Sequence, residues 1–352
     1  MPSWVYLYLN PRIRALLSYM LPKETAYRIL DSTSLAEVQN IFLSTYYGKY
    51  FEGLDFTPDT IELALRRHFI ELYSSISRAI KGEEAKFFYA FLKKYDASNL
   101  KCVMRGLHAK LPLEDILRNI VPVGKLGTAY YLNMVETGAV KEAIARISDI
   151  GLREALEAAF PRYETSNEIF ILESTIDRNV YTNLWKITNN WKAGKTFGAR
   201  EKFLLKGLIG EDVDFNNIII ALRAISLGLN PEDFYLPVAY RINEELKSAA
   251  NATSMEDALQ IFSHSPYYGA LLEETREKGI VPNILMDLEA HLQQAHLRKC
   301  KLKLSDYPFQ ISIIYSFLTL KFFELHDLKT LLTGKLEEID PLKIQKLLIY
   351  YH

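Results

Sequence analysis

The chain has 352 residues, 49% of them hydrophobic and 24% charged, with a formal net charge of −1 at pH 7. That length permits a large core in one to three domains, and that composition is ordinary for a globular protein. The near-zero charge excludes a global field that would gather nucleic acid or an anionic membrane. The two cysteines, Cys102 and Cys300, are neither a disulfide framework nor a metal spacing, so a reducing cytoplasm is the default compartment.

The apolar run from Trp4 to Leu9 lacks a basic flank and a cleavage site, and Pro11 cuts it short, which argues against a signal peptide. Arg12 to Leu30 has helical spacing and is divided at Pro22. Ser34 with Glu37 reads as a capping box in front of Val38, Ile41 and Phe42. Pro58 opens a longer helix with one apolar stripe, Ile61, Leu65, Phe69, Leu72, Ile76 and Ile80, which Gly82 ends. Phe87, Phe88, Phe91, Leu92 and Tyr95 give the next helix an aromatic face. A break at Asp96 follows, then a new helix from Ser98, then a third opened by Pro112.

Pro122, Gly124 and Gly127 mark a first boundary. Lys141 to Phe160 reads as two short helices divided at Gly151, and Asn167 to Trp191 as a long one with Leu172, Ile176, Val180 and Leu184 inward. Beyond a turn at Gly194 and Gly198, the segments Arg200–Leu208 and Asn216–Leu227 are again helices with a break between them, and Val238 to Ala249 is helical. Asn251 to Ser254 is a second boundary. Helices are expected at Met255–Phe262, at Ala270–Lys278, from Pro282 through Leu297, at Pro308–Phe323 and Leu325–Leu332, and from Pro341 onward. The longest uncharged run, Tyr307 to Leu320, is about 14 residues, short of the ~20 that a membrane-spanning helix needs. No stretch alternates with the period of a strand.

A skeleton recurs along this series. Asp96, Asn99, Leu100 and Arg105 share their spacing with Asp214, Asn217, Ile218 and Arg223, and with Glu324, Asp327, Leu328 and Thr333. Each set is followed by a proline beside acidic residues: Pro112, Pro231 and Pro341. A second skeleton, Ser34 to Gly48, returns as Ser254 to Gly269. A period of about one hundred residues suggests an all-α body of three similar helical units, 1–125, 126–250 and 251–352.

The chemistry-bearing motifs are absent. There is no phosphate loop, dinucleotide fingerprint or nucleophile elbow, and Gly194-Lys195-Thr196 reads as a turn. His291 and His296 do not share a helical face as zinc ligands would. Glu114-Asp115 and Glu232-Asp233 suit helix first turns, where negative charge meets the dipole. Arg298, Lys299, Lys301 and Lys303 read as a solvated helix end. No catalytic, cofactor-binding or metal residue is assigned. The repeated motif has two readings. Its arginines pair with a carboxylate inside their own unit while Asp96 and Asp214 cap the motif helices, or they line a partner surface. Thr333 in place of an arginine argues against three equivalent binding positions.

With Asp96-Ala-Ser-Asn-Leu-Lys-Cys-Val-Met-Arg105, Phe87-Phe88 ahead of it and Thr45-Tyr46-Tyr47 before those, the chain resembles the C subunit of the archaeal and bacterial A/V-type rotary ATPases, the relative of the d subunit of eukaryotic V-ATPase. The resemblance implies a funnel of three helical subdomains with no chemistry of its own. It implies a rotor role: a socket in the central stalk between the D and F subunits of the shaft and the membrane proteolipid ring. Torque passing through it would couple ATP hydrolysis or synthesis to H+ or Na+ transport. It further implies a single copy held at the cytoplasmic face of the membrane through the complex, with no span of its own, no cofactor and no nucleic acid. Asp96, Asn99, Arg105, Asp214, Asn217, Arg223, Glu324 and Asp327 are then structural or partner-contacting. The competing classes are an all-α metal-dependent enzyme, for which His326-Asp327 is the one His-Asp step, and a helical scaffold of another assembly.

Overall fold

The computed structural model describes residues 4–121, 126–190, 198–267, 269, 284–306 and 310–351. Among these, every regular element is helical. The N-terminal group is α1 (Trp4–Ser18), α2 (Lys23–Asp31), α3 (Leu35–Leu43), a 3-10 turn (Tyr46–Tyr50) and α4 (Pro58–Ser77). Pro11 lies inside α1 instead of ending it, whereas Pro22 does separate α1 from α2. The Ser34 side chain accepts a hydrogen bond from the Glu37 amide and so starts α3 as expected. Gly82 begins the next helix, with φ +63°, and does not close α4.

The middle of the chain forms α5 (Gly82–His108), α6 (Leu113–Arg118), α7 (Thr128–Val135), α8 (Val140–Ala145), α9 (Ile150–Ser166), α10 (Phe170–Asn189) and α11 (Gly198–Ser226). A 3-10 turn (Pro231–Asp233) leads to α12 (Asn243–Ala249) and α13 (Met255–Phe262). The last helices are α14 (Ile284–Leu304), α15 (Ile311–Leu336) and α16 (Pro341–Leu347). Asp149 caps α9, so the division there precedes Gly151. The segment ahead of α12 is not helical, contrary to the reading of Val238 onward. The expected helix at 270–278 and the turn at Gly194-Lys195-Thr196 lie outside the described residues.

The main correction concerns the motif itself. Asp96, Asp214 and Glu324 interrupt nothing. They sit mid-way along three helices of 27, 29 and 26 residues, α5, α11 and α15. An aspartate is a poor helix-interior residue because its side chain competes for local backbone groups. Here each carboxylate is buried and turned toward groups on other segments, so that competition is lost. Neither Asp96 nor Asp214 caps a helix.

The three long helices also end alike. The amides of Leu111, Leu229 and Ile339 reach back to the carbonyls of Gly106, Ala224 and Gly334 at 2.9, 2.8 and 2.8 Å. The residues before them, Lys110, Gly228 and Glu338, are left-handed, with φ 53°, 66° and 54°. This is the Schellman closure of a helix C-terminus. The short helix that follows packs back on the long one so closely that a Cβ at Gly106 would lie 2.4 Å from Ile116 Cγ1. One at Gly334 would lie 2.8 Å from Ile344 Cδ1.

One large apolar core runs through α1–α5, α10 and α15. A smaller one fills the space between α11, α12, α13 and α14. No helix among the described residues is long and apolar enough to cross a membrane.

Candidate functional site

Each motif anchors an irregular segment by its backbone. Asp96 Oδ1 accepts from the Leu126 amide at 3.0 Å and the Tyr131 hydroxyl at 3.2 Å. Asn99 bonds both the N–H and the C=O of Val121, each at 2.9 Å. Asp214 accepts from the amides of Tyr240 and Arg241 at 2.7 and 2.8 Å and from the Tyr267 hydroxyl at 2.7 Å. Asn217 accepts from the Leu236 amide and donates to the Val238 carbonyl, both at 2.8 Å. Burial outweighs these bonds at Asp214 and raises its carboxyl above the usual carboxylate range.

At the third site the roles are shared differently. Asp327 collects the amides of Ile349, Tyr350 and Tyr351 at 2.9, 2.7 and 3.1 Å. Glu324 accepts from the amide of Leu21 at 2.7 Å and pairs with Lys321 at 2.6 Å. Leu21 comes just before α2, as Leu126 comes before α7 and Arg241 before α12. At this site the amide thus comes from a segment 303 residues earlier instead of one that follows. Lys321 also donates to the Tyr47 hydroxyl at 2.8 Å, inside the large core.

The arginines face the other way. Nine residues beyond the aspartate, at 100° per residue, a side chain emerges on the opposite side of the helix. Arg105 Nε therefore pairs with Glu173 Oε1 on α10. Arg223 reaches the second oxygen of the same carboxylate at 3.5 Å, and Glu289 on α14 at 3.5 Å. The expectation that each arginine pairs inside its own unit fails for Arg105, whose partner Glu173 lies within 126–250; Arg223 meets that carboxylate inside its own unit and also reaches Glu289 beyond it. The Glu173 side chain is 6% exposed, against 56% for Arg105 and 31% for Arg223. Lys101 pairs with Asp177 one turn further along α10, both contacts at 2.8 Å. Sequence reasoning missed Glu173 and Asp177, although two acids four apart beside the Leu172–Ile176–Val180 stripe match the basic pair Lys101 and Arg105 on α5.

Beside this ladder, α5, α10, α11, α14 and α15 enclose a cavity of about 150 Å³. Lys94, Tyr181, Asp212 and His296 form part of its polar wall, and Phe215 and Phe322 part of its apolar one. Lys94 pairs with Asp212 Oδ2, which also accepts from the Tyr181 hydroxyl at 3.2 Å. Burial alone would raise the Asp212 carboxyl, but Lys94 overrides it and holds the group below its ordinary value. His291, on α14 with His296, is engaged with the Asp287 carbonyl at 2.8 Å. His326 contacts Asp327 at 3.1 Å. Among the described residues, no group of three His, Cys, Asp or Glu side chains is arranged to hold a metal ion.

The class these features define is an all-helical protein whose polar side chains are spent on holding helices and segments together. The chain belongs to the ATP synthase (C/AC39) subunit family, whose model matches residues 9–347. It is similar to the A-type ATP synthase C subunit of Methanocaldococcus jannaschii, 24% identical over 351 residues, spanning 98% of this chain and 86% of that protein. The C subunit of the Methanosphaera stadtmanae A-type ATP synthase is 26% identical over 339 residues, spanning 95% of this chain and 85% of its own length. That of Haloferax volcanii is 24% identical over 353 residues, with 97% of each chain covered.

Proposed function

We propose that this chain is a non-catalytic rotor component of an A/V-type ATPase. It acts as a socket in the central stalk between the D and F subunits of the shaft and the membrane proteolipid ring. Torque passing through it couples ATP hydrolysis or synthesis to ion transport. It is peripheral to the membrane on the cytoplasmic side and present as one copy. The observation that carries this reading is the family match together with the three long helices, closed in the same register, that surround one cavity. A body meant to transmit torque has to resist shear. The motif carboxylates and amides, which fasten loop backbones to helix interiors, give it that stiffness. The same register supports an internally triplicated chain with units at 1–125, 126–250 and 251–352. Asp96, Asn99, Asp214, Asn217 and Asp327 would fasten the segment that follows each long helix, and Glu324 would tie the third unit back to the first through Leu21. Arg105 would join the first unit to the second through Glu173, and Arg223 the second to the third through Glu289.

The test is affinity purification of the tagged chain from its own detergent-solubilised membranes. Recovery of ATPase head, shaft and proteolipid subunits is the expected result. Recovery of the chain alone, in any detergent, would overturn the rotor reading.

A further inference from the structure

The outer face of α10 differs from the face that packs on α5. Both acids of α10, Glu173 and Asp177, are spent inward, on Arg105, Arg223 and Lys101. The outer face carries no acid. It lines an open groove of about 590 Å³ between α10, Lys93 of α5, the start of α9 and Pro237. Three cations line this groove, Lys93, Arg178 and Lys186, against one acid, Asp149, which Lys93 already pairs at 2.6 Å. Among the described residues, Arg178 meets the backbone carbonyl of Asp233 at 3.2 Å but no carboxylate, and Lys186 has no ion pair. Between these two cations stand Asn179 and Asn183, half-buried, with neither carboxamide hydrogen-bonded among the described residues.

We propose that this groove binds an extended, acidic peptide segment of a partner protein. The spacing of the free groups selects that ligand. Asn179 and Asn183 are one turn apart, which at 1.5 Å per residue is about 6 Å along the axis. In an extended chain, residues i and i+2 present their N–H and C=O to the same side about 6.6 Å apart. Each carboxamide carries a donor and an acceptor, and so matches one such N–H and C=O pair. Arg178 and Lys186 are about 12 Å apart along the same axis, which an extended chain crosses in about four residues. Carboxylates at the two ends of a five-residue stretch would meet both cations while the backbone between them crosses both carboxamides. Other ligands match less of the groove. Ala155 and Pro237 are its only apolar side chains among the described residues, too few to seat an amphipathic helix. No aromatic side chain among them offers a stacking platform for bases, and phosphodiester oxygens only accept, which leaves half of each carboxamide unused. None of this chemistry depends on the rotor reading above.

The test is an NMR titration of the purified full chain with a capped five-residue peptide that has glutamate at each end and threonine, valine and threonine between. Saturable shifts of the Asn179 and Asn183 side-chain amides are expected, with a Kd on the order of 1 mM. Asn179→Ala and Asn183→Ala should each weaken binding about two- to tenfold, the size of the neutral hydrogen bonds removed. Lys186→Glu, at an exposed position that leaves the core intact, should weaken it most at low salt, with the difference shrinking as salt screens the charges. The absence of saturable shifts overturns the proposal, as does an equal response to the same peptide with lysine at each end. Unchanged affinity in both asparagine variants reduces the groove to bare charge attraction and overturns the reading of the peptide backbone. A five-residue oligothymidine that moves the same signals as strongly overturns the peptide assignment in favour of nucleic acid.

Discussion

The first two motif sites and the third solve the same problem with different resources. At α5 and α11 an aspartate and an asparagine clamp the segment that follows in the chain, and the two arginines are drawn together on Glu173. At α15 the arginine is absent, Thr333 stands in its place, and the clamp is completed by Leu21 from a segment far back in the sequence. The first arrangement leaves its arginines partly exposed, where water screens them, although Glu173 between them is buried. The second buries Lys321 and Glu324 almost completely, at 2% and 0% side-chain exposure. A position that joins segments so distant in sequence has no short covalent linker. It depends on an interaction that cannot be lost without leaving a charge stranded in the core.

That contrast can be broken from either side. The largest effect is expected from Glu324→Ala, which strands Lys321 and releases Leu21. Removing one partner of a buried pair costs about 3–5 kcal/mol, and chemical denaturation should show a loss of that order. A loss below about 1 kcal/mol, the scale of an exposed pair, would mean that the third site is no lock.

Acidification comes next. His296, beside the first two sites, is lowered to about 4 by burial, with Lys94 and Lys299 adding to it and Asp212 opposing. His68, beside the third, is lowered further by burial and by Lys321. A lowered histidine is protonated first in the unfolded chain. Its contribution is therefore complete above about pH 6.5 and is lost as pH falls toward the folded value. Between about pH 6.5 and 4, His296 alone should remove about 3 kcal/mol. His296→Leu should flatten the dependence of melting temperature on pH in that window.

Smaller effects separate the surface charges. Glu173→Gln should cost about 1–2 kcal/mol, the scale of charged hydrogen bonds reduced for partly exposed arginines. Arg105→Ala should cost less than about 1 kcal/mol, because Arg105 is more than half exposed and Glu173 keeps Arg223. A double-mutant cycle between Arg105 and Arg223 should show coupling, since both act on one carboxylate. The smallest change is a gain. Lys110 and Glu338 hold left-handed backbone where the middle site has Gly228. Lys110→Gly and Glu338→Gly should each stabilise by about 0.5–1 kcal/mol, read from the denaturation midpoint.

Much of this was legible in the sequence. The helical period, the capping serine Ser34, the prolines that open the short helices and the spacing of the three motifs are local properties. A helix face and a cap are set by residues within a few positions of one another. The family followed from the same residues. The functions of the motif side chains were not legible. Asp96 read as a helix break because an aspartate favours caps and turns in isolation. Only the arrival of the Leu126 amide and the Tyr131 hydroxyl, 30 and 35 residues away, makes an interior position favourable.

The sequence by itself determined that the chain is helical, which apolar faces turn inward and which residues recur; it misplaced several helix ends and divided each long motif helix in two. The tertiary structure decided what each recurring residue holds. Arg105 meets Glu173 across 68 residues, and Glu324 meets Leu21 across 303. The reason is physical. Propensity and periodicity act along the chain, whereas the pairing of a buried charge or amide depends on which segment packing brings within about 3 Å of it.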